Sequence, residues 1–387
     1  GQDTTDADGL QNTKTPVQIT SFVTTDPVAG SGTATDLALG ADPTGTDTIS
    51  SPYVDYAHDY AYVGNDIGVL YRIKDVFCPS YNTDAGCMAG LAPSLDTSWG
   101  TGGAVTISTC GGVLTGAVED FATGNVFVGC SDGYLYGFTS SGTPLLNPRI
   151  QLGDGTTYGG LVVPPIVDST NGFVYAVTGT NNTNPVLAQS STSLLGIRRV
   201  SLGTAPTTPG DYLFAPAFND AYFSNATSTN WAIFSCGYDT SGSFTILYDI
   251  GFIPGRLLKL GTPPASNQFQ LLNAVDQCSP LTTFVNVLGP PNPPTDWLFL
   301  GLDAQSTVYN FNVSVSRVTG TGGFVGGFTD TAANATVTGG PSGIIVDNEN
   351  DTLAQASSIY FSNLASAGCG AGGSGFCAVK LTQSGLN

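Results

Sequence analysis

Several residue types are nearly missing from this chain of 387 residues. It has one histidine, one methionine, four lysines and two glutamates, so that 27 of its 29 acidic residues are aspartate. Because lysine, glutamate and methionine are strong helix formers, their scarcity argues against a helical protein. The single histidine, His58, would have to serve any Ser/His/Asp or Cys/His catalytic site.

Basic residues are also scarce. Ten Lys and Arg against 29 acids leave a formal net charge of −19, with no basic cluster. Such a surface repels phosphate backbones and anionic lipids, so nucleic acid and anionic membrane surfaces are disfavoured as partners. No apolar run approaches the roughly 18 to 20 residues that span a bilayer, and we predict no membrane span. No basic, apolar leader opens the chain at Gly1, and we expect any signal peptide to have been removed.

The residues that are abundant favour strands and tight turns. The chain has 51 glycines and 23 prolines, and it is rich in Thr, Ser, Asn and Asp. Glycine, proline and the short polar residues are the usual turn formers. The 41% of hydrophobic residues can fill a sizeable core, which separates this chain from disordered proteins.

Eight cysteines point to disulfides. Their even number, and two close pairs in glycine-rich loops, favour disulfide bonds and an oxidising compartment. Metal binding is disfavoured, because no CxxC occurs and His58 is far from most of the cysteines. Eight cysteines allow about 105 connectivities. We predict the pairs Cys78–Cys87, Cys110–Cys130, Cys236–Cys278 and Cys369–Cys377.

Five Asn-x-Ser/Thr sequons are candidate glycosylation sites, and they fit an extracellular surface. They begin at Asn181, Asn225, Asn312, Asn334 and Asn350.

A unit of three short strands recurs along the chain. Its clearest copies are residues 51–73 and 116–138, and turns such as Asn65–Gly68 supply the positive φ angles of tight hairpins. Equivalent positions of successive copies lie 64, 49, 51, 66 and 62 residues apart. These positions are Val54, Val118, Val167, Phe218, Phe284 and Val346.

Sheets of three or four strands repeated at this period cannot bury both faces alone, whereas stacking them radially does. We therefore predict an all-β fold, a single disulfide-stapled β-propeller of six blades, with seven as the alternative. Residues 50–387 are predicted to form the propeller and residues 1–49 an N-terminal extension with one strand.

The unit reads as a small residue, Pro, two apolar residues and Asp, followed by apolar-Tyr-apolar-Gly and a later Gly-x-Leu-Tyr. This pattern resembles the blade of quinoprotein-like β-propellers, a superfamily of PQQ-dependent dehydrogenases and of non-enzymatic scaffolding propellers. The resemblance covers about 330 residues and implies the propeller fold. The dehydrogenases place Trp at the end of most blades and adjacent cysteines beneath the cofactor. This chain has three Trp and no adjacent cysteines, so we expect no quinone cofactor.

Candidate chemistry is limited to a few polar positions. His58 falls between two strands, where a solvated turn residue is the simplest interpretation. Aspartates recur at one position of the unit, and two of them could serve glycoside hydrolysis. We interpret them as turn or cap residues, with a catalytic or ion-binding subset as the alternative. The repeated aspartates are Asp55, Asp120, Asp168, Asp220 and Asp347.

Calcium is a candidate ligand of three Asp-rich turns, at Asn65-Asp66, Asp132 and Asp303, although none has EF-hand spacing. We predict no other cofactor and no catalytic residues. Most tyrosines fall inside the repeated strands, which favours packing over sugar stacking.

The N-terminal extension contains one strand, Pro16–Val23, with Val17, Ile19, Phe22 and Val23 as its apolar residues. One interpretation is that it completes the last blade of its own ring. The other is that it adds to a neighbour's sheet. Such a contact is heterologous and could generate an open filament.

These observations favour a secreted, non-enzymatic structural protein, a cell-surface or extracellular filament or adhesion subunit whose partner is a second copy or a glycan. The alternative is a glycan-binding propeller or carbohydrate-active enzyme that uses the central cleft, with loops at 75–112, 178–193 and 285–296. A redox enzyme is a third and weaker hypothesis.

Overall fold

The computed structural model describes most of the chain, in two compact units. The first unit comprises residues 1–176 and 190–197, and the second comprises residues 177–189 and 198–387. All structural statements below concern the described residues, which are 18–23, 33–38, 50–76, 93–156, 158–205, 212–225, 227, 230–261, 268–272, 274–286, 295–314, 334–347, 358–369 and 374–382.

The first unit contains a hairpin and two antiparallel sheets. The hairpin pairs β1 (Gln18–Val23) with β2 (Thr33–Ala38). In the first sheet, both of the last two strands pair with the third. Its strands are β3 (Tyr53–Asp55), β4 (Tyr60–Gly64), β5 (Val69–Lys74), β6 (Ser94–Leu95) and β7 (Ala104–Thr106). The second sheet consists of β8 (Leu114–Asp120), β9 (Asn125–Cys130), β10 (Tyr134–Phe138) and β11 (Pro144–Gln151).

The third sheet has four strands in sequence order, and its residues are divided between the two units. Its strands are β12 (Ile166–Asp168), β13 (Phe173–Thr178), β14 (Val186–Ser191) and β15 (Ile197–Ser201).

The second unit continues the series with three more sheets. The fourth sheet contains β16 (Ala217–Phe218), a short helix α1 (Asp220–Ser224), β17 (Ala232–Tyr238), β18 (Thr245–Ile253), β19 (Leu257–Leu258) and β20 (Gln268–Leu272). The fifth contains β21 (Thr282–Asn286), β22 (Thr295–Leu302), β23 (Thr307–Asn312) and β24 (Asn334–Thr336). The last sheet contains β25 (Ile345–Asp347), β26 (Ser358–Ser362) and β29 (Ala378–Thr382), and a small hairpin pairs β27 (Ala367–Gly368) with β28 (Ser374–Gly375).

The predicted fold class is confirmed: the chain is an all-β, disulfide-stapled β-propeller of consecutive antiparallel sheets. The number of blades, and the division at residue 49, stay predictions. Within the described part of the chain, no helix is long and apolar enough to cross a bilayer.

Adjacent sheets pack through clusters of buried side chains. We call the packing between the first two sheets the first seam, which includes Tyr62, Leu70, Trp99, Leu114, Val126 and Val128. We call the packing between the fourth and fifth sheets the second seam, which includes Phe234, Leu247, Leu298, Leu300 and Phe311. The period-two burial along strands such as β5 places alternate residues in these seams.

The repeated glycine at the end of the second strand is explained by a close approach. A Cβ atom on Gly64 would lie 2.7 Å from Cβ of Leu114, the first residue of the second sheet, and one on Gly129 would lie 2.7 Å from Cβ of Leu161. Any side chain here would push away the segment that opens the next sheet. The glycine therefore allows consecutive sheets to pack closely.

A hydroxyl near the start of the unit completes this junction. The backbone N–H of Gly64 donates to Oγ of Ser50 at 2.9 Å, and that of Gly129 donates to Oγ1 of Thr115 at 3.0 Å. In the fifth sheet, the N–H of Gly301 donates to Oγ of Ser279 at 3.0 Å. The small residues of the repeat thus include buried hydroxyls that satisfy an N–H left outside the strand ladder.

Candidate functional site

The repeated aspartate closes the turn after the first strand of a sheet. Oδ1 of Asp55 accepts the N–H of Ala57 at 2.9 Å, and Oδ1 of Asp120 accepts the N–H of Ala122 at 3.2 Å. Asp168 holds both the backbone N–H and the side-chain amide of Asn171. These are Asx-type turns, which is the capping role that the sequence favours.

The fourth sheet corrects the sequence alignment of this position. Asn219, and not Asp220, lies opposite Ala232, whose N–H donates to Oδ1 of Asn219 at 3.0 Å. Asp220 instead opens α1, and its N–H donates to Oδ2 of Asp296 at 2.7 Å. The Asn219 side chain also donates to the carbonyl of Asn230 at 2.8 Å, so it joins the two ends of this hairpin connection.

The single histidine contacts the repeated aspartate of the first sheet at hydrogen-bond distance. Nδ1 of His58 lies 2.5 Å from Oδ2 of Asp55. The aspartate is buried, whereas 61% of the histidine side chain is exposed. The imidazole also stacks on Tyr60, with ring centroids 6.1 Å apart. The aspartate therefore fixes the imidazole orientation and leaves Nε2 as the ring nitrogen for an external partner.

Glu119 lies beside this pair, on the second sheet. Burial, and then the negative charge of Asp55, raise the pKa of its carboxyl group. Its Oε2 atom is buried and has no hydrogen-bond partner among the described residues. The same neighbourhood raises the pKa of Tyr62, first through burial and then through the charge of Glu119. A carboxyl group in this setting holds a proton more readily than an exposed one.

A buried cation completes the first seam. Arg72 makes a salt bridge with Asp96, with Nη2 and Oδ2 at 2.5 Å, and Nη1 donates to the carbonyl of Ser140 at 2.9 Å. Its guanidinium carbon lies 4.3 Å from the ring centroid of Tyr60. Both charged side chains of the pair are buried, so each depends on the other for compensation.

Exposed aromatic rings lie in the turns that follow Asp55 and Asp120. Tyr56, directly after Asp55, is 75% exposed, and Phe121, directly after Asp120, is 71% exposed. We call Tyr56, His58 and Phe121 the aromatic rim. Tyr56, Phe121 and Glu119 are not among the site residues predicted from the sequence. The scarcity of glutamate, and the aromatic directly after the repeated Asp, are the signals that could have identified them.

The last sheet differs from the others at its outer edge. Its described strands follow the order β25-β26-β29, so β29 pairs with β26 on one side only. The other sheets each have strands at a fourth position. Exposed apolar residues also gather in and near this sheet. They are Ile345, Leu364 and Phe376.

The predicted assembly strand forms part of a separate hairpin. Ile19, Phe22 and Val23 lie in β1, which pairs with β2, and Val17 lies outside the described residues. Within the described part of the chain, this hairpin belongs to none of the larger sheets. Whether the strand acts in its own molecule or in a neighbour stays a prediction.

Three disulfides join cysteines that follow one another in the sequence. They are Cys110–Cys130, Cys236–Cys278 and Cys369–Cys377, and both Cys78 and Cys87 lie outside the described residues. None of these pairs is formed by adjacent residues, and Trp99 is buried in the first seam. That the chain holds no quinone cofactor stays a prediction.

The sequons differ in their surroundings. Asn225 is exposed, and Oγ1 of its sequon partner Thr227 donates to Oδ1 of Asn225 at 3.1 Å. Oδ1 of Asn312 accepts Oγ of Ser314 at 2.6 Å, and Oδ1 of Asn181 accepts the N–H of Asn184 at 3.1 Å. The Asn334 side chain and all of Asn350 lie outside the described residues. Glycosylation of these sites stays a prediction.

Two of the candidate calcium turns, at Asn65 and Asp132, use side-chain oxygens in hydrogen bonds within the protein. Oδ1 of Asn65 accepts the N–H of Val69 at 2.8 Å, and Oδ2 of Asp132 accepts the hydroxyl of Tyr136 at 2.5 Å. The pKa of Asp303 is raised by burial and then by the charge of Asp276. Across the described ranges, no group of three or more His, Cys, Asp or Glu side chains is placed to hold a metal ion. Calcium stays a prediction.

Comparisons with known proteins give matches to solved structures. No protein-family model and no curated protein matches the chain. Similar structures include Chaetomium thermophilum Sqt1 bound to the N-terminus of the ribosomal protein L10, with 12% identity, TM-score 0.48, and coverage of 89% of this chain and 75% of that one. BamB from Moraxella catarrhalis has 11% identity, TM-score 0.42, and coverage of 86% of this chain and 73% of that one.

Quinohemoprotein alcohol dehydrogenase from Comamonas testosteroni is also similar, with 11% identity, TM-score 0.42, and coverage of 74% of this chain and 45% of that one. The similar structures thus include a quinoprotein, the class that the repeat resembles. At such identities the likeness carries no activity over to this chain.

Proposed function

We propose that the protein is a secreted, non-enzymatic structural subunit of a cell surface or extracellular filament, which assembles with copies of itself. The observation that carries this proposal is the outer edge of β29, which pairs with no other strand among the described residues, together with a hairpin, β1–β2, that belongs to no larger described sheet. A two-stranded hairpin alone is marginally stable in water, so it gains from joining a sheet.

Strand addition supplies the assembly mechanism. An exposed strand edge presents unpaired N–H and C=O groups that an extended segment of another chain can pair with. Because each copy carries both the donor hairpin and the acceptor edge, the contact is head-to-tail. Such contacts produce open filaments when the rotation does not close a ring.

Disulfides and composition support an extracellular setting. The three described disulfides persist in oxidising compartments. Four lysines among 387 residues offer few cleavage sites to lysine-specific proteases, and the net charge of −19 keeps subunits soluble before assembly.

Electron microscopy of the native, untagged secreted protein tests this proposal. We expect regular fibres from the full chain and from a deletion of residues 1–14, which keeps the strand. A deletion of residues 1–38 removes the hairpin, and we expect it to give separate particles of unchanged melting temperature.

The outcomes separate the two parts of the proposal. Separate particles from the full chain at high concentration would contradict self-assembly. Normal fibres from the deletion of residues 1–38 would leave self-assembly standing and remove the strand-addition mechanism.

Glycan binding is a second candidate function, and the exposed rings of the aromatic rim favour it. Its predicted loops are described only in part, because residues 77–92 and 287–294 lie outside the described ranges.

A further inference from the structure

We propose that the aromatic rim is a docking surface for a neutral, hydroxyl-rich glycan. The three rings belong to the turns that close the first hairpins of the first two sheets, so all of them lie in the first unit. This site is distinct from the long loops that the sequence pointed to, and it would supply the adhesive ligand of the proposed structural protein.

Close backbone approaches place the first strands of neighbouring sheets side by side. A Cβ atom on Gly116 of β8 would lie 2.9 Å from the carbonyl oxygen of Ser51, just before β3. The strands that end at Asp55 and Asp120 are therefore neighbours. The N–H of Phe121 in turn donates to Oγ of Ser169, in the corresponding turn of the third sheet, at 3.0 Å. The rim therefore sits in a continuous row of turns.

The imidazole of the rim is held in place from below. Asp55 fixes the imidazole of His58 by both the Nδ1 contact and the backbone N–H of the same residue. One face of that imidazole stacks on Tyr60, which itself carries the guanidinium of Arg72. Because Asp55 and Arg72 are buried and paired, His58 loses little conformational entropy when a ligand binds.

The chemistry of the rim selects the ligand. An aromatic ring with an exposed face packs against the C–H face of a pyranose, whose hydroxyl groups then need polar partners at the ring edge. The His58 side chain is 61% exposed, and its Nε2 atom is the ring nitrogen left by the Asp55 contact, so it supplies such a partner. A sugar hydroxyl can donate to or accept from an imidazole nitrogen.

Other ligand classes fit less well. Asp55 and Asp120 directly precede the two rings, and the formal net charge of −19 disfavours phosphate and sulfate groups. A stable protein partner needs an interface of about 800 Å² on each side, formed by about 20 to 30 residues. Three rings on two short turns provide much less, but they suffice for one or two sugar units.

Affinity electrophoresis of the full chain tests this inference, which rests on the proposed function only for the extracellular location. Non-denaturing gels contain mannan, galactan, xylan or mixed-linkage β-glucan, with heparin as an anionic polysaccharide. We expect at least one neutral polysaccharide, and not heparin, to retard the wild type. The double variant Tyr56→Ala/Phe121→Ala should bind about tenfold more weakly, because both exposed rings are lost.

Two variants serve as controls. Tyr56→Phe/Phe121→Tyr keeps both rings and should bind within about threefold of the wild type. Phe223→Ala removes an exposed ring of α1, in the other unit, and should bind as the wild type does. All variants should keep the melting temperature, since the changed side chains are exposed.

Several results would overturn the inference. These are no retardation by any neutral polysaccharide, equal retardation of the Tyr56→Ala/Phe121→Ala variant, or an equal loss in Phe223→Ala. Retardation that disappears after protease treatment of the polysaccharide would identify a protein ligand and would also overturn it. Fibre formation is scored separately, so failure here leaves the structural function untouched.

Discussion

The first and second seams join neighbouring sheets of the same repeat but differ in what they bury. The second seam is built mainly from aliphatic and phenyl side chains, among them Leu298 and Phe311. The first seam buries Tyr62 and Trp99, with the Arg72–Asp96 salt bridge beside them. The repeat therefore determines the strand pattern and leaves the contents of each seam free to vary. The polar seam is the one that adjoins the aromatic rim.

Removal of the disulfides should have the largest effect on stability. Cys236 and Cys278, beside the second seam, are 42 residues apart, whereas Cys110 and Cys130, beside the first, are 20 apart. Loop-closure entropy predicts a loss of about 4 kcal/mol for Cys236→Ala/Cys278→Ala and about 3 kcal/mol for Cys110→Ala/Cys130→Ala. Denaturant unfolding measures both losses. A larger loss for Cys110→Ala/Cys130→Ala than for Cys236→Ala/Cys278→Ala would show that strain or packing outweighs chain entropy.

Shortening a buried side chain in each seam should show how the two seams differ in what stabilises them. Leu298→Ala leaves a cavity in the second seam and should cost about 3 kcal/mol in unfolding free energy. Arg72→Met should cost a similar amount because it leaves Asp96 buried without its cation. The double variant Arg72→Met/Asp96→Asn should recover part of that loss. If it recovers nothing, packing of the guanidinium on Tyr60, and not charge, stabilises the first seam.

Buried acid groups at the two seams should both make the unfolding free energy decrease as the pH rises. Burial raises the pKa of Asp296, which accepts an N–H from α1, to about 6 from 3.8. Because this pKa is higher in the folded than in the unfolded state, the folded protein loses stability as the pH rises from about 4 to 6. Asp296→Asn keeps an oxygen acceptor and removes the charge. It should gain on the order of 2 kcal/mol at pH 7.5 and nothing at pH 3.5.

Glu119→Gln provides the comparison in the first seam. Its raised pKa predicts a gain of the same sign at neutral pH that disappears in acid. Unfolding free energies measured from pH 3.5 to 7.5 test both variants. A loss of stability at neutral pH in either variant would contradict the predicted sign.

Removing the Ser or Thr hydroxyl that accepts a glycine N–H should have the smallest effect on the unfolding free energy. Thr115→Val removes the acceptor of the Gly129 N–H, and Ser279→Ala removes that of the Gly301 N–H. Each should cost about 1 kcal/mol, because a buried N–H is left unpaired. Equal losses in the two units would show that the junction is a property of the repeat. No change in chemical denaturation would show that water replaces the hydroxyl.

The sequence predicted the fold well because the repeat is local. Alternating apolar residues, Asn-Asp and Asp-Gly turns and the recurring Asp each report on a hairpin within about 25 residues, so the strands could be placed without tertiary information. The misplacement in the fourth sheet shows the limit. Asn219 and Asp220 are adjacent and both can cap a turn, so only the pairing with Ala232 distinguishes them.

The candidate site could not be predicted in the same way. The proximity of Glu119 to His58 depends on packing between sheets, which no spacing along the chain reports. The exposure of Tyr56 is equally hidden, since tyrosines inside the strands, such as Tyr62, are buried. The contact of His58 with Asp55 could have been predicted from the sequence, because the two residues are three apart in one turn.

The contact between Gly64 and Leu114 also bears on synthesis at the ribosome. Each sheet is finished only when the opening segment of the next one arrives, about 50 residues later in this case. At the usual 5 to 20 residues per second, the nascent first sheet waits about 3 to 10 seconds with one face uncovered. During synthesis, each sheet therefore buries its exposed face only after the start of the next sheet has been translated. Rare codons placed between two sheets would lengthen the time for which that face is exposed.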